Sequence, residues 1–216
     1  MIDVVLPALN EALALPPLLA ALPPGFRAIV VDNGSTDNTA AAARASGAVV
    51  VHESTAGYGA AVHAGIVAAT SDVVCVMDAD GSLDPAELPA LVQAVLDGSA
   101  HMVVGRRRAA GRGSWPWHAR LGNRVLAYRL SRRLDITLHD IGPVRVFNRV
   151  PMLELGIEDR RFGYPIETLV RAARAQWLIL ELDVSYGPRA AGTRSKVTGS
   201  LSGSVKALRD FQRVIP

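Results

Sequence analysis

The sequence predicts an α/β protein with a mostly parallel sheet that is covered by helices on both faces. Short apolar runs alternate with Ala- and Leu-rich segments of helical length, and this alternation is typical of strand–helix–strand units with right-handed crossovers. The apolar runs are continuous, as expected for strands that are buried on both faces. Polar clusters follow several of these runs, so we expect candidate binding residues at one edge of the sheet.

The predicted elements are clearest in the first half of the chain. We predict strands at residues 2–6, 28–31, 48–51, 73–77 and 102–104, separated by helices near 11–21, 37–46, 59–69 and 85–96. After Gly105 we predict an Arg- and Gly-rich mobile loop at 106–116, a helix at 117–133, strands near 143–147 and 178–184 around a helix near 164–175, and a last helix near 202–214. We therefore predict a single domain, 1–216, whose halves are residues 1–105 and 106–216.

Composition limits the possible classes of protein. A chain of 216 residues with 50% hydrophobic content can bury a substantial core. Cys75 is the single cysteine, which excludes an intramolecular disulfide. Asn10, Glu11, Pro16 and Pro17 interrupt the apolar N-terminal region, which argues against a signal peptide or a spanning helix. We expect a cytoplasmic protein with no nucleic-acid partner, and the sequence gives no indication of oligomeric state.

Two carboxylates follow the predicted strand at 73–77. Asp78 and Asp80 are separated by Ala79 and come where a buried strand would end. Divalent cations such as Mg²⁺ are commonly held by one or two carboxylates together with substrate phosphates. The pattern therefore favours a metal and phosphate site, although Asp is also a common turn and helix-cap residue.

Polar turns follow the first two predicted strands as well. The first turn reads Pro7-Ala8-Leu9-Asn10-Glu11, and the second reads Asp32-Asn33-Gly34-Ser35-Thr36-Asp37. Asp32, at a strand tip, could accept hydrogen bonds from a nucleobase or a ribose. A capped strand-to-helix turn without a ligand would explain the second cluster equally well.

These motifs together resemble glycosyltransferase family 2 enzymes, and within that family the polyprenyl- and dolichyl-phosphate hexose synthases. Residues 5–11 resemble the P-x-x-N-E turn, 31–37 the D-x-S-x-D nucleotide segment, 57–61 with Gly65 the G-x-G-x-A stretch, 78–80 the DxD motif, 105–107 the G-S-R segment, and 181–196 the E-x-P-x-x-Y…R…G-x-S-K ending. The resemblance implies a Rossmann-like GT-A fold, with nucleotide-sugar binding in the half at 1–105 and acceptor binding in the half at 106–216.

The resemblance also implies a set of site residues. Asp78 and Asp80 would bind Mg²⁺ or Mn²⁺. The nucleotide-diphosphate sugar, a GDP- or UDP-hexose, would be bound by Pro7, Leu9, Asn10, Glu11, Asp32, Gly34, Ser35, Gly57, Gly59, Asp78, Ala79, Asp80, Arg189 and Ser195. The catalytic candidates are Asp80, Glu167, Asp140, Arg107 and Lys196.

The sequence departs from the family pattern at two positions. Ser82 stands where the polyprenyl-phosphate synthases carry a metal-binding Gln, and the acid of the D-x-x-S-G-F-R segment is displaced by one residue, to Asp140. These departures leave a non-catalytic nucleotide-sugar-binding protein as an alternative. An NAD-dependent oxidoreductase is disfavoured because the Gly57-Tyr58-Gly59 motif opens the third strand–helix unit. A sugar-phosphate nucleotidyltransferase is disfavoured because the first turn lacks a basic Gly-rich loop.

The acceptor determines which groups the reaction needs. A phosphate acceptor is already ionised near neutral pH, whereas a hydroxyl acceptor needs a carboxylate base, for which Glu167 and Asp140 are the candidates. The Arg-rich loop at 106–112, the pair Trp115 and Trp117, and the basic segment at 194–196 favour contact with a membrane surface. We therefore predict a lipid-phosphate acceptor, met peripherally at the inner face of a membrane, with transfer to a soluble hydroxyl as the alternative.

Overall fold

The computed structural model describes residues 1–111 and 115–190, apart from the side chain of His118. Within these residues the strands are β1 (Ile2–Ala8), β2 (Phe26–Asp32), β3 (Val49–His52), β4 (Val73–Met77), β5 (Met102–Ala109), β6 (Val144–Asn148) and β7 (Ile179–Tyr186). The helices are α1 (Leu15–Ala20), α2 (Thr39–Ala45), α3 (Tyr58–Ala68), α4 (Leu88–Leu96), α5 (Trp117–Leu134), α6 (Arg149–Glu154) and α7 (Tyr164–Arg174), and a 3₁₀ turn spans Pro85–Glu87.

The seven strands form one sheet in the order β3-β2-β1-β4-β6-β5-β7. Strands β1 to β4 are mutually parallel where they pair, and β7 runs parallel to β5. Strand β6 lies between β4 and β5 and is antiparallel to both. The prediction of a mostly parallel α/β sheet is confirmed, and the sheet crosses the predicted boundary at residue 105 without interruption.

Helices cover both faces of the sheet, as predicted. Apolar side chains of α1, α2 and α4 pack on one face, and those of α3, α5, α6 and α7 pack on the other. Successive residues of β1 serve opposite faces, since Val4 and Leu6 join the first core cluster and Val5 joins the second. This double burial explains why the strand sequences are apolar throughout.

Gly65 of α3 lets this helix lie close to the sheet. A Cβ atom at Gly65 would come within 2.3 Å of Val5 Cγ1 and 2.9 Å of Val31 Cγ2. Side chains on β1 and β2 therefore occupy the space that any larger residue would need. The close approach aligns the start of α3 with the edge of the sheet where β1 and β2 end.

The predicted loop at 106–116 begins too early, because β5 extends to Ala109. Arg106 and Arg108 lie in β5, which pairs with β7 up to Ala109 and Tyr186. Asp183 of β7 accepts from Arg106 Nε at 2.6 Å and from Arg108 Nε at 2.7 Å. These cross-strand ion pairs offset part of the positive charge of Arg106 and Arg108 and support the strand. Helix α6 was not predicted.

Candidate functional site

Three parallel strands bring their polar termini to one edge of the sheet. In the register of β1 and β2, Ala8 pairs with Asp32, and Val5 of β1 pairs with Val76 of β4. The turns that follow Ala8, Asp32 and Met77 therefore lie side by side, because parallel strands end at the same edge. The sequence prediction that these clusters share one edge is confirmed.

The first two of these turns are fixed to each other by hydrogen bonds. Asn10, which has φ +57°, donates its N–H to Ser35 Oγ at 2.9 Å and accepts from Thr36 N at its Oδ1 at 2.8 Å. Asp32 accepts from Ser35 N at 3.0 Å, and the buried Glu11 donates its N–H to Thr39 Oγ1 at 2.8 Å. The hydrogen bonds of Asn10 and Ser35 therefore hold the turns at the tips of β1 and β2 together.

The remaining candidates on these strand tips lie in the same region. Gly34 adopts φ +83° in the second turn, a conformation that favours glycine. Pro7 and Leu9 are half-buried at the end of β1. Asn33, which was not a candidate, donates its side-chain amide to the carbonyls of Glu53 and Thr55 and accepts from Gly57 N. It ties the second turn to the segment before α3.

Asp78 and Asp80 follow β4 and differ in their surroundings. Asp80 is buried, and its Oδ1 accepts from Ser82 N at 2.9 Å and from Ser82 Oγ at 2.5 Å. Its Oδ2 lies 2.9 Å from Arg189 Nη1. Asp78 has a weaker contact, with Tyr58 Oη at 3.5 Å. Burial, followed by the charge of Asp80, raises the pKa of Asp78 to about 7, against the opposing influence of nearby arginines.

Arg107 and Asp140 form a saturated ion pair next to Asp78. Asp140 accepts from the N, Nε and Nη2 of Arg107 at 2.9, 2.9 and 2.6 Å, and from Gly142 N at 2.9 Å. Burial opposes ionisation of both groups, but these bonds lower the pKa of Asp140 and raise that of Arg107. A carboxylate offers about four acceptor positions, and all of them are used here.

Two aromatic rings make cation–π contacts with the Arg107 guanidinium. Its Cζ lies 4.1 Å from the centre of the Trp115 ring and 5.5 Å from that of Tyr186. Trp115 is half-buried, whereas Trp117 is 76% exposed. The two tryptophans therefore do not form a surface pair: Trp115 orders an arginine of the site, and Trp117 faces outward.

Arg145 is a site residue that the sequence analysis did not include among its candidates. It lies on β6, is buried, and donates from its Nη2 to the carbonyl of Ile141. Its Nε is buried without a hydrogen-bond partner. Its charge favours ionisation of Asp78, while burial lowers the pKa of Arg145 itself. A lone arginine inside the apolar run Val144–Phe147 was the available signal.

The carboxylates of Asp78 and Asp80 are suited to binding a divalent cation. Among the described residues, the hydrogen bond to Asp78 is the long one from Tyr58 Oη, and burial is the first cause of the raised pKa of Asp78. Within residues 1–111 and 115–190, no group of three or more His, Cys, Asp or Glu side chains could hold a metal. A cation here would need further oxygen ligands, which a diphosphate and water could supply.

Glu167 lies in a different environment from the aspartates. Its Oε1 accepts from Glu158 N at 3.0 Å and from Arg171 Nε at 2.6 Å, and its Oε2 accepts from Asp159 N at 2.7 Å. These contacts fix the loop before α7 to the helix. The structure therefore gives Glu167 a bracing role and does not group it with Asp78 and Asp80.

Gly57 and Gly59 pack against the same loop. A Cβ at Gly57 would lie 2.1 Å from the carbonyl oxygen of Arg160, and one at Gly59 would lie 2.7 Å from Tyr164 Cβ. The amides of Gly59 and Ala60 donate to the carbonyls of Arg161 and Arg160 at 3.0 and 2.8 Å. Both glycines therefore permit close packing of the start of α3 against this loop, and their part in nucleotide-sugar binding stays a prediction. Ser195 and Lys196 lie outside the described residues.

The sequence of the chain is similar to those of known proteins. The chain is 56% identical over 214 residues to an uncharacterised glycosyltransferase of Mycobacterium tuberculosis, covering 99% of this chain and 97% of that protein. It is 31% identical over 217 residues to the polyprenol monophosphomannose synthase of Mycolicibacterium smegmatis, covering 91% and 81% of the two chains.

A solved structure extends the likeness to the fold. Glucosyl-3-phosphoglycerate synthase of Mycobacterium tuberculosis, in complex with Mn²⁺ and UDP-glucose, matches with a TM-score of 0.75 and 26% identity, over 100% of this chain and 77% of that one. The predicted GT-A fold is confirmed by this match. The family model described as glycosyl transferase family 2 matches residues 3–156. The chain is therefore a glycosyltransferase and belongs to family 2.

Proposed function

We propose that this enzyme transfers a hexose from a nucleotide-diphosphate sugar to a polyprenyl phosphate, with Mg²⁺ or Mn²⁺ as cofactor. Three arginines surround Asp78 and Asp80, namely Arg107, Arg145 and Arg189. With Asp140 included, the guanidinium groups and carboxylates of this cluster are equal in number. A bound divalent cation would add two positive charges, which a nucleotide diphosphate would neutralise. The cluster thus fits a diphosphate leaving group.

The residues of the chain have distinct tasks in this proposal. Asp32 binds the nucleoside at the tips of β1 and β2, next to the turns that Asn10 and Ser35 hold together. Asp78 and Asp80 hold the cation, which supplies Lewis-acid stabilisation of the leaving diphosphate. Arg189, whose Nη1 lies 2.9 Å from Asp80 Oδ2, would donate to oxygens of the same diphosphate.

The proposal of a phosphate acceptor is supported by one observation, the hydrogen bonds that described residues donate to the two candidate bases. Asp140 accepts four hydrogen bonds and Glu167 accepts three. A hydroxyl acceptor must lose a proton to a positioned base, and carboxylates are poor bases when their acceptor positions are all occupied, as in Asp140, or mostly occupied, as in Glu167. A phosphate acceptor is ionised near neutral pH and needs no such base.

One relative supports the same choice, and one solved structure supports the soluble alternative. The synthase of Mycolicibacterium smegmatis is named for a polyprenol monophosphate product. The glucosyl-3-phosphoglycerate synthase has also been crystallised with phosphoglyceric acid, a soluble molecule that carries a phosphate. Because these two proteins are named for different acceptors, the experiment must separate a lipid from a soluble acceptor.

The test uses UDP- and GDP-hexoses with Mn²⁺ and three acceptors: a polyprenyl phosphate, the matching polyprenol without phosphate, and 3-phosphoglycerate. We expect transfer to the polyprenyl phosphate alone, lost in Asp80→Asn. The matched control is Asp72→Asn, which changes an exposed aspartate at the opposite end of β4.

Three outcomes would contradict the proposal. Transfer to polyprenol that requires Asp140 or Glu167 would establish a hydroxyl acceptor, and transfer only to 3-phosphoglycerate would establish a soluble one. Nucleotide binding with no transfer to any acceptor would favour the non-catalytic alternative.

A further inference from the structure

The outward face of α5 has an unusual composition for a solvent-exposed surface. Trp117, Leu121, Val125 and Tyr128 are each exposed by 45% or more. They are spaced by four, four and three residues, which places them in one line along a helix. We call this line, with the arginines beside it, the α5 outer face.

Basic residues flank the apolar line. Arg120 and Arg124 lie on one side of it and Arg129 lies on the other, while Arg132 continues the line toward the C-terminal end of the helix. All four arginines are exposed, and α5 contains no Asp or Glu in its 18 residues. The α5 outer face thus combines a central apolar stripe with uniformly positive margins.

The opposite side of α5 anchors the helix to the protein. Ala127 and Leu130 are buried, and Leu130 belongs to the core cluster on that face of the sheet. Asn123 accepts from Arg107 Nη2 at 3.2 Å and from Ile141 N at 3.3 Å. The helix is therefore fixed directly to the arginine that pairs with Asp140 beside Asp78.

We propose that the α5 outer face lies on an anionic lipid membrane and so brings the active site to its acceptor. A helix whose apolar side chains are bordered by arginines matches a lipid interface, where the stripe enters the headgroup boundary and the arginines meet phosphate groups. The inference rests on the proposed function, because a polyprenyl acceptor would be met at a membrane. No helix of the described residues is long and apolar enough to span one.

Charge disfavours a second copy of this chain as the occupant. A two-fold symmetric contact would pair the α5 outer face with itself. The arginines of one copy would then oppose those of the other, with no acidic residue on the helix to neutralise them. An anionic bilayer supplies the missing negative charge, and its acyl region accepts Trp117 and Leu121.

The test measures co-sedimentation of the full chain with vesicles. We expect binding to phosphatidylcholine vesicles that contain one quarter phosphatidylglycerol, and weaker binding to pure phosphatidylcholine or in high salt. Leu121→Glu should reduce binding at least fivefold, while Leu96→Glu on α4, where the side chain is 58% exposed, should not. Arg124→Glu should reduce binding by about fivefold or more, while Arg44→Glu on α2 should not.

The outcomes separate this inference from the proposed function. In detergent with a short polyprenyl phosphate, Leu121→Glu should keep wild-type transfer, because Leu121 lies outside the site. Absence of transfer by the wild type, with vesicle binding still lost in Leu121→Glu, would refute the proposed function alone. Equal vesicle binding by wild type and Leu121→Glu, or no binding by either, would overturn the membrane inference. A dimer in light scattering that Leu121→Glu separates would also overturn it.

Discussion

Arg189 Nη1 lies 2.9 Å from Asp80 Oδ2, so an arginine from the segment after β7 pairs with a buried carboxylate of the turn after β4. The carbonyl of Asp80 also accepts from Ala190 N at 3.0 Å, and Gly187 N donates to the carbonyl of Ser82 at 2.8 Å. These contacts attach the segment after β7 to the turn after β4.

We predict opposite effects of Arg189→Met on metal and nucleotide binding. Without nucleotide, the guanidinium competes with a divalent cation for Asp80, so its removal should tighten Mn²⁺ binding about fivefold, as for the loss of a pair worth about 1 kcal/mol. With Mn²⁺ present, the loss of the contact between Arg189 and the diphosphate should weaken binding of the nucleotide. Calorimetric titration with Mn²⁺ alone, and with UDP in Mn²⁺, measures both. The control is Arg174→Met on α7, and a change of the same sign in both titrations would contradict the prediction.

We predict that Asp140→Ala strongly destabilises the protein. The variant leaves the largely buried guanidinium of Arg107 without its carboxylate, and breaking a buried pair in this way costs roughly 3–5 kcal/mol. Denaturant unfolding measures the change in the free energy of unfolding. The control is Asp183→Ala, which removes the exposed partner of Arg106 and Arg108 and should cost less than about 1 kcal/mol. Equal losses in the free energy of unfolding would show that the buried Asp140–Arg107 pair stabilises the protein no more than the exposed pairs of Asp183.

We predict that Asp3 makes the fold sensitive to acid. Burial alone would raise the pKa of Asp3, but bonds from Arg27 and from the N–H groups of Ser71 and Thr70 hold it at about 2, below its ordinary value of 3.8. Because the folded pKa is depressed, this stabilisation is complete above about pH 4 and is lost as the pH falls toward 2. It amounts to about 2 kcal/mol.

The measurement is the free energy of unfolding between pH 7 and pH 2.5 for wild type and Asp3→Asn. We expect the wild type to lose stability more steeply than the variant in the acid range, and Asp72→Asn to follow the wild type. Parallel curves for wild type and Asp3→Asn would refute the role of Asp3.

We predict that the same substitution has opposite effects in two helices. Gly122→Ala in α5 adds a methyl group that meets no described atom outside the backbone of its own helix within 4 Å, and it should stabilise the protein by about 0.5–1 kcal/mol because alanine favours a helix. Gly65→Ala in α3 meets Val5 Cγ1 at 2.3 Å and should destabilise it by about 1–3 kcal/mol. Thermal unfolding of both variants checks the signs. A stabilised Gly65→Ala would mean that α3 can move away from β1.

Local patterns were sufficient to predict most of the elements and the edge of the sheet that holds Asp78 and Asp80. Continuous apolar runs and polar turns are short-range patterns, which can be recognised directly in the sequence. The position of β6 was not predicted, because strand order depends on contacts between residues that are far apart in the chain. The same reason explains the pairing of Arg189 with Asp80 and that of Arg107 with Asp140.

Burial was the other quantity that the sequence could not supply. Trp115 and Trp117 look alike in the sequence, yet Trp115 packs on Arg107 and Tyr186 while Trp117 is exposed. Arg145 looks like a strand residue among valines, yet it is a buried cation near Asp78. Only the three-dimensional packing separates a surface residue from one that serves the site.

The position of β6 between β4 and β5 affects how the chain can fold during synthesis. When the ribosome has completed β5, the neighbour that will join this strand to β4 has not been made, since β6 ends at Asn148. The first four strands can pair at that stage, but β5 can enter the sheet only after about forty further residues have emerged. A truncated chain that ends directly after Ala109 would leave β5 and the apolar edge of β4 without partners, and exposed strand edges of this kind promote aggregation.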